Sequence, residues 1–444
     1  MKIWKFFLVL IGLMLALAAC GGSQAEPTAV PSVDQPAGVA SPTLAPELNT
    51  PTPLPPPAIS VAGEGEGAPE SAPAVVESVP TAVPNIIRPW PTNKFGYGVQ
   101  VHGNATVGNA ADTMYAVRNQ LGLNWVKAQI QWWLIYPSPD AGQWFFYDAV
   151  VDEAARNDLN LMLSVVGAPA WTRAAGDENG PPDDFGEYAR FLTELINRYP
   201  GKIGAIEVWN EQNLDREWAT ANGVNPNDYV RFLQVAHDAI KAADPNIIVI
   251  SGALAPTGCN DGVTCADDFV WLDQALAAGM LNYTDCVGVH HNGYNISPDV
   301  PFDQAGSTAE AATAQFRGPF DNPHHSWSFK TTLDTYAQKI QAIDPNAKLC
   351  VTEFGWASAE GYDVAPTGFE FAYDNTLAEQ AQYITQAFKQ MHDSGNVWLT
   401  FLFNFDFGNK GGGPTDDPVP YSIVDTNGIP RPAFGAVAEM EKPD

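Results

Sequence analysis

The sequence predicts an α/β fold, a (β/α)8 TIM barrel preceded by a disordered Pro-rich linker. Two observations predict the barrel. After residue 94, short apolar runs alternate with longer amphipathic runs eight times, the pattern of a parallel sheet wrapped by helices. The first apolar run is followed by no Gly-rich phosphate turn, which sets aside the doubly wound open sheet as the nearest competing fold. A third observation predicts the linker: 16 prolines fall between Pro27 and Pro91, with no sustained apolar period.

The strands are expected at 95–101, 125–130, 159–166, 205–209, 247–251, 286–290, 348–353 and 397–403. Each is short and apolar, as strands covered on both faces should be. Helical spacing appears at 147–157, through Tyr147, Val150, Val151, Ala154 and Ala155, and at 185–199, through Tyr188, Phe191, Leu192, Leu195 and Ile196. Pro226 opens a further helix at a first-turn position and Asp244-Pro245 closes it, as proline geometry allows. The run 377–392 is another clear helix, and Pro430 and Pro432 lead into a last one ending near Met440.

The N-terminus reads as an export signal. Lys2 and Lys5 precede an apolar run at 6–17, and the small residues Ala18 and Ala19 precede Cys20. The run is short for a membrane span. Leu17-Ala18-Ala19-Cys20 resembles the lipobox of bacterial lipoproteins, which implies lipidation at Cys20 and a lipid-anchored place on the extracellular side of a bacterial membrane. The expected domains are a signal peptide at 1–20, a linker at 21–94 and a catalytic domain at 95–444. The linker cannot bury enough surface to fold. Extended at about 3.1 Å per residue, it would reach roughly 200 Å.

The formal net charge is −29, and residues 1–94, with seven acids and four bases, supply only −3 of it. A domain carrying −26 repels phosphate backbones, so nucleic acid is not an expected partner. Cys259 and Cys265 lie close together in a Gly/Asp-rich stretch, and export permits them to form a small-loop disulfide. Cys286 and Cys350 fall in strands and read as buried thiols, with pairing across adjacent strands left open. No cysteine has zinc-ligand spacing, and no metal or cofactor is implied.

Chemistry in such a barrel sits at the C-terminal ends of the strands. Those ends are rich in Trp, His, Asn and Gln, which suits sugars: aromatic planes stack on apolar sugar faces while amides and imidazoles bond hydroxyls. Glu211 follows strand 4 and Glu353 follows strand 7. Two carboxyls flanking one bond are what glycoside hydrolysis needs.

The segment Trp209-Asn210-Glu211-Gln212-Asn213 resembles the strand-4 motif of clan A glycoside hydrolases, nearest to family 39 and the related family 5. The segment Thr352-Glu353-Phe354-Gly355-Trp356 resembles the clan's strand-7 motif. The resemblance implies Glu211 as acid/base, Glu353 as nucleophile and Asn210 on the sugar 2-hydroxyl. It extends through most of 95–444. The sequence departs from the clan at three places. Lys127 stands where relatives carry Arg. Strand 6 reads His290-His291-Asn292, so His290 matches but the usual Tyr is replaced, and Tyr294 is a candidate substitute. The strand-8 Trp is absent, with Phe403 or Phe405 in its place.

Trp132, Trp171 and Trp356 are candidate sugar platforms, with core packing the alternative. Trp209 is expected in the barrel wall. His324 and His325, in an insertion at about 295–328, read as solvated loop histidines, and Asp416 and Asp417 as carboxylates without calcium. Together these readings predict a retaining β-glycosidase acting on an extracellular poly- or oligosaccharide by double displacement, with burial raising the Glu211 pKa so that it can donate a proton. A monomer is expected. The competing readings are a non-catalytic carbohydrate-binding lipoprotein and a transglycosylase remodelling cell-surface glycans.

Overall fold

In the computed structural model of the chain, residues 89–443 are described. The signal peptide, Cys20 and the linker up to residue 88 lie outside the described residues. Eight parallel strands form one sheet: β1 Gly96–Val101, β2 Trp125–Gln131, β3 Asn160–Val166, β4 Ile203–Val208, β5 Ile248–Ser251, β6 Val287–Gly293, β7 Leu349–Trp356 and β8 Val397–Leu402. Their order is β5-β4-β3-β2-β1-β8-β7-β6. The remaining seam, β5 to β6, closes through the parallel bridges Ile250↔Cys286 and Leu254↔Val289. This is the (β/α)8 TIM barrel.

A helix follows each strand: α1 Ala110–Tyr115, α2 Asp148–Arg156, α3 Phe185–Arg198, α4 Pro226–Ala243, α5 Asp268–Ala277, α6 Phe329–Gln341, α7 Leu377–Ser394 and α8 Pro432–Glu439. Their starts are set by local chemistry. Asp184 and Asn225 cap α3 and α4 with their side-chain oxygens, and Thr376 with Glu379 forms a capping box on α7. Such caps satisfy amides that the first turn leaves without partners.

Strand alternation divides the core. Val126, Ala128 and Ile130 of β2 and Ile206 and Val208 of β4 face the helices in the large outer core. Trp125, Met162, Ala205, Ile248, Leu399 and Phe401 fill the barrel interior at its lower end, with Cys286 and Cys350. Room for these rings comes from β1: a Cβ at Gly96 would meet Leu399 at 2.6 Å, and one at Gly98 would meet Phe401 at 2.6 Å. Trp90, in the stretch assigned by sequence to the linker, belongs to this interior cluster, with its ring 5.7 Å from that of Trp125. Trp398 Nε1 donates to Pro91 O at 2.9 Å. The folded domain therefore begins a few residues before 95.

Cys286 and Cys350 are not free thiols. They form a disulfide inside the barrel, with Cα atoms 5.8 Å apart, and Cys259 pairs with Cys265 in a loop beyond β5. Strands β6 and β7 run three residues further than the apolar pattern predicts. They pair with each other through His290↔Glu353, Asn292↔Gly355 and Gly293↔Trp356, so polar residues continue the ladder into the mouth.

Candidate active site

The end of β4 is held in an unusual backbone conformation. Trp209 has φ 77° and Glu211 φ 44°, both in the left-handed region, where a non-glycine residue costs about 1–3 kcal/mol. Bonds from the β5 end offset that cost. Glu211 N donates to Ala253 O at 2.8 Å. Gln212 Nε2 donates to Gly252 O at 2.7 Å, and Asn213 bonds Ala255 through both its amide atoms. Gly252 is required here, because a Cβ would lie 2.7 Å from the backbone oxygen of Val208. Trp209 anchors the turn from the wall side: its Nε1 donates to Glu217 O, and its ring packs among Tyr188, Trp218 and Phe232. The Glu211 side chain is thereby turned over the barrel mouth.

On β7, register shifts between Val351 and Phe354. The irregularity brings consecutive residues, Thr352 and Glu353, to the inside. Thr352 Oγ1 donates to Glu207 Oε1 at 2.6 Å. Lys127 Nζ donates to Glu353 Oε1 at 3.0 Å and to Thr352 O at 3.1 Å, and lies 3.4 Å from Glu207 Oε2. Lys127 and Glu207 are fully buried and Glu353 nearly so. Burial opposes the Lys127 charge, but the Glu207 and Glu353 carboxylates outweigh it and hold the ammonium above its ordinary pKa. Lys127 thus supports Glu353 directly. Asn292 Nδ2 approaches Glu353 Oε2 at 3.4 Å. The second support of Glu353 therefore comes from Asn292 rather than from Tyr294.

His290 stands between the two glutamates. Its Nδ1 is 3.3 Å from Glu211 Oε1, and its Nε2 is 3.9 Å from Glu353 Oε1 and from Glu207 Oε1. Burial disfavours its charged form, but Glu353 and Glu211 together raise its pKa. Asn210, next to Glu211 in the chain, has its Oδ1 buried without a protein hydrogen-bond partner.

The Glu211 carboxyl differs from expectation. Burial by itself would raise its pKa, as the sequence suggests. Arg216, with Nη2 at 2.5 Å from Oε2, and His290 outweigh burial and bring it down to about 2. The neighbouring Glu217 takes the opposite direction. Burial pushes it up to about 8; Arg216 opposes the rise, and the Glu211 and Glu353 charges add to it. The mouth therefore holds one acid kept ionised and another kept protonated near neutral pH. Arg216 itself is half exposed.

Two of the three candidate platforms are core residues. Trp356 is fully buried, donates from Nε1 to Ile296 O and packs on Phe329 and Tyr383. It shares the outer face of β7 with Phe354, so it points away from the mouth. Trp132 stacks on Phe191 of α3 with ring centres 5.1 Å apart. Trp171, on a turn after β3, is 39% exposed, with its Nε1 donating to Tyr136 O at 2.9 Å and its ring edge-on to Trp132. Tyr294 is enclosed edge-on by Trp327 at 4.6 Å and Phe371 at 4.9 Å, so its ring packs rather than faces the opening. Phe405 lies in the outer core. Phe403 contacts Tyr421 and Phe407 instead, at the top of β8. His325 is not a solvated loop side chain, because it is largely buried and lies 2.7 Å from Asp267 Oδ2, whereas His324 beside it stays 39% exposed.

Residues 92–404 match the family model described as cellulase, glycosyl hydrolase family 5. No curated protein matches the chain. Among solved structures, a monomeric β-xylosidase from Caulobacter crescentus CB15 aligns over 80% of this chain and 69% of its own, at 16% identity and TM-score 0.52. The native xylanase 10B of Thermotoga maritima aligns over 78% and 95%, at 15% identity and TM-score 0.50. A psychrophilic glycoside hydrolase family 10 endo-β-1,4-xylanase aligns over 79% and 98%, at 14% identity and TM-score 0.50. At such identities these likenesses concern the fold.

Proposed function

The chain belongs to the cellulase family, glycosyl hydrolase family 5, and from that premise we propose that it is a retaining β-glycosidase of a neutral, β-linked polysaccharide such as a β-1,4-glucan or a xylan. The observation that carries the proposal is the placement of Glu211 and Glu353, from the ends of β4 and β7, on opposite nitrogens of one imidazole, His290. Glu353 is the nucleophile. Lys127 Nζ donates to its Oε1 and Asn292 Nδ2 approaches its Oε2, which together fix the orientation of the carboxylate. Its attack on the anomeric carbon forms a glycosyl ester as the bond to the leaving oxygen breaks.

Glu211 is the acid/base. In the first half-reaction it gives a proton to the leaving oxygen, so the resting carboxylate must first part from Arg216 and take up a proton from solvent. The half-exposed guanidinium can be displaced when a sugar enters on the leaving-group side. In the second half-reaction an ionised Glu211 takes a proton from water, and the resting arrangement already suits that step. Asn210 bonds the sugar 2-hydroxyl, and Trp171 offers a sugar platform.

The strongly acidic domain disfavours anionic polymers. Lipidation at Cys20 and the Pro-rich segment fit a domain displayed on the extracellular side of a bacterial membrane. The test is reducing-sugar release from neutral β-glucans, xylans, mannans and galactans by wild type and Glu353→Gln. Release by wild type alone supports the proposal. Release by both removes Glu353 from its role, and binding without release by wild type favours carbohydrate capture.

A further inference from the structure

We propose a transition-metal site, best suited to Zn2+, formed by Asp267, His324 and His325 where the β6–α6 insertion meets the start of α5. The three potential ligand atoms lie within 4.8 Å of one another. His325 Nε2 is 2.7 Å and His324 Nε2 3.8 Å from Asp267 Oδ2. An ion with ligand bonds of about 2.0–2.1 Å in tetrahedral geometry holds two such atoms roughly 3.3 Å apart. The two observed separations straddle that value, so small side-chain shifts complete the site.

Asp267 Oδ1 is occupied as the helix cap, accepting from Phe269 N at 3.0 Å and Val270 N at 3.1 Å, while Oδ2 is bonded to His325 Nε2 at 2.7 Å, a contact that a bridging ion would replace. His324 Nδ1 accepts from Ser326 N at 3.3 Å and lies 3.0 Å from Ser326 Oγ. To take an ion at Nε2, the ring proton must move to Nδ1, where Ser326 Oγ can accept it in place of the bond from Ser326 N. His325 Nδ1 is buried without a hydrogen-bond partner, and Asp268 Oδ1 lies 3.8 Å away. A small shift of the ring gives the carboxylate–histidine–metal arrangement that fixes the tautomer of metal-binding imidazoles. The His325 ring is stacked on Phe269 at 3.7 Å, which limits its rotation. His324 is 39% exposed and offers the entry path. Two imidazoles and one carboxylate suit a borderline divalent ion, with a fourth position left for water.

An ion here would pin the insertion that runs along the end of β6. Ser326 O lies 3.2 Å from the buried His291 Nε2, and Trp327 packs on Tyr294. None of the three ligand residues bonds to Glu211 or Glu353, so the site does not depend on the glycosidase reading.

The experiment is equilibrium dialysis of the metal-free full chain against micromolar Zn2+, with metal quantified per chain, followed by Co2+ loading and visible spectroscopy. Wild type should hold one Zn2+ and give the intense bands of tetrahedral Co2+. Asp267→Asn keeps the cap oxygen and removes the anionic ligand, and His324→Ala alters a partly exposed side chain. Each should lose the ion while melting like metal-free wild type, and Glu353→Gln should keep it. Absence of Zn2+ from wild type, or its retention by both Asp267→Asn and His324→Ala, overturns the proposal. Should one of these variants fail to fold, the other and the wild-type Co2+ spectrum decide.

Discussion

Replacing Arg216 with Met should move the pH dependence of catalysis in a defined direction. Glu211 sits at about 2 against an ordinary 4.5. At 1.36 kcal/mol per tenfold, its carboxylate is favoured by about 3 kcal/mol. Burial raises the pKa of this carboxyl, and Arg216 with His290 lower it. Removing the guanidinium leaves burial against His290 alone, so the carboxyl should return at least to its ordinary range. At pH 6 the protonated fraction would rise from roughly one in 10,000 to roughly one in 30, a gain of up to about 300-fold for a step that needs the acid. Because kcat/KM reports the free enzyme and kcat the bound complex, the alkaline limb of kcat/KM should move up by about two pH units. The limb of kcat should move less, since bound sugar already displaces Arg216. Aryl glycosides with good leaving groups need little acid assistance and should change little. The assay is a pH series of both constants on a polysaccharide-derived oligosaccharide and on an aryl glycoside. An unmoved alkaline limb, or equal effects on both substrates, would refute the reasoning.

Three further outcomes are expected. Glu217, at about 8 in the folded chain, contributes stability below its ordinary pKa that is lost as pH rises toward 8. Glu217→Gln should therefore stabilise the protein by about 1–3 kcal/mol at pH 7 and by little at pH 4, read from urea unfolding at both pH values; equal gains at both would contradict the assignment. Lys127→Met strands Glu207 and Glu353 without their cation and should cost about 3–5 kcal/mol, with Glu207→Gln recovering part in the double variant; a loss below about 1 kcal/mol would show that the network does not act as a unit. Cys350→Ser opens a disulfide spanning 64 residues, whereas Cys265→Ser opens one spanning six. Chain entropy gives ceilings of about 4 and 2 kcal/mol, so the first variant should lower the denaturation midpoint more than the second.

The barrel was legible because each strand is buried on both faces and each major helix carries its apolar residues on one face. Glu211, Glu353 and His290 were legible because a barrel's chemistry collects at the strand ends, and the fold brings them together. What escaped depended on facing and register. Trp356 follows Glu353 at a distance of three residues, but the β7 irregularity turns Glu353 inward and leaves Phe354 and Trp356 on the wall side. The β6–β7 ladder ran past the apolar pattern because polar residues can pair where the strands line the mouth. Lys127 and Glu207 did leave a signal: each is a charged residue inside an apolar strand, on a parity shared with Trp125 and Ala205, and opposite charges so placed should meet. Arg216 left none. Its ion pair with Glu211 exists only because the left-handed turn at Trp209 and Glu211 folds the following loop back over the mouth.

The most direct measurement is covalent trapping with an activated 2-deoxy-2-fluoro glycoside of the hydrolysed sugar, followed by intact mass and peptide mapping. The account predicts one sugar per chain, attached at Glu353, and none on Glu353→Gln. Turnover without any adduct, together with a product of inverted anomeric configuration, or an adduct on Glu211, would contradict it.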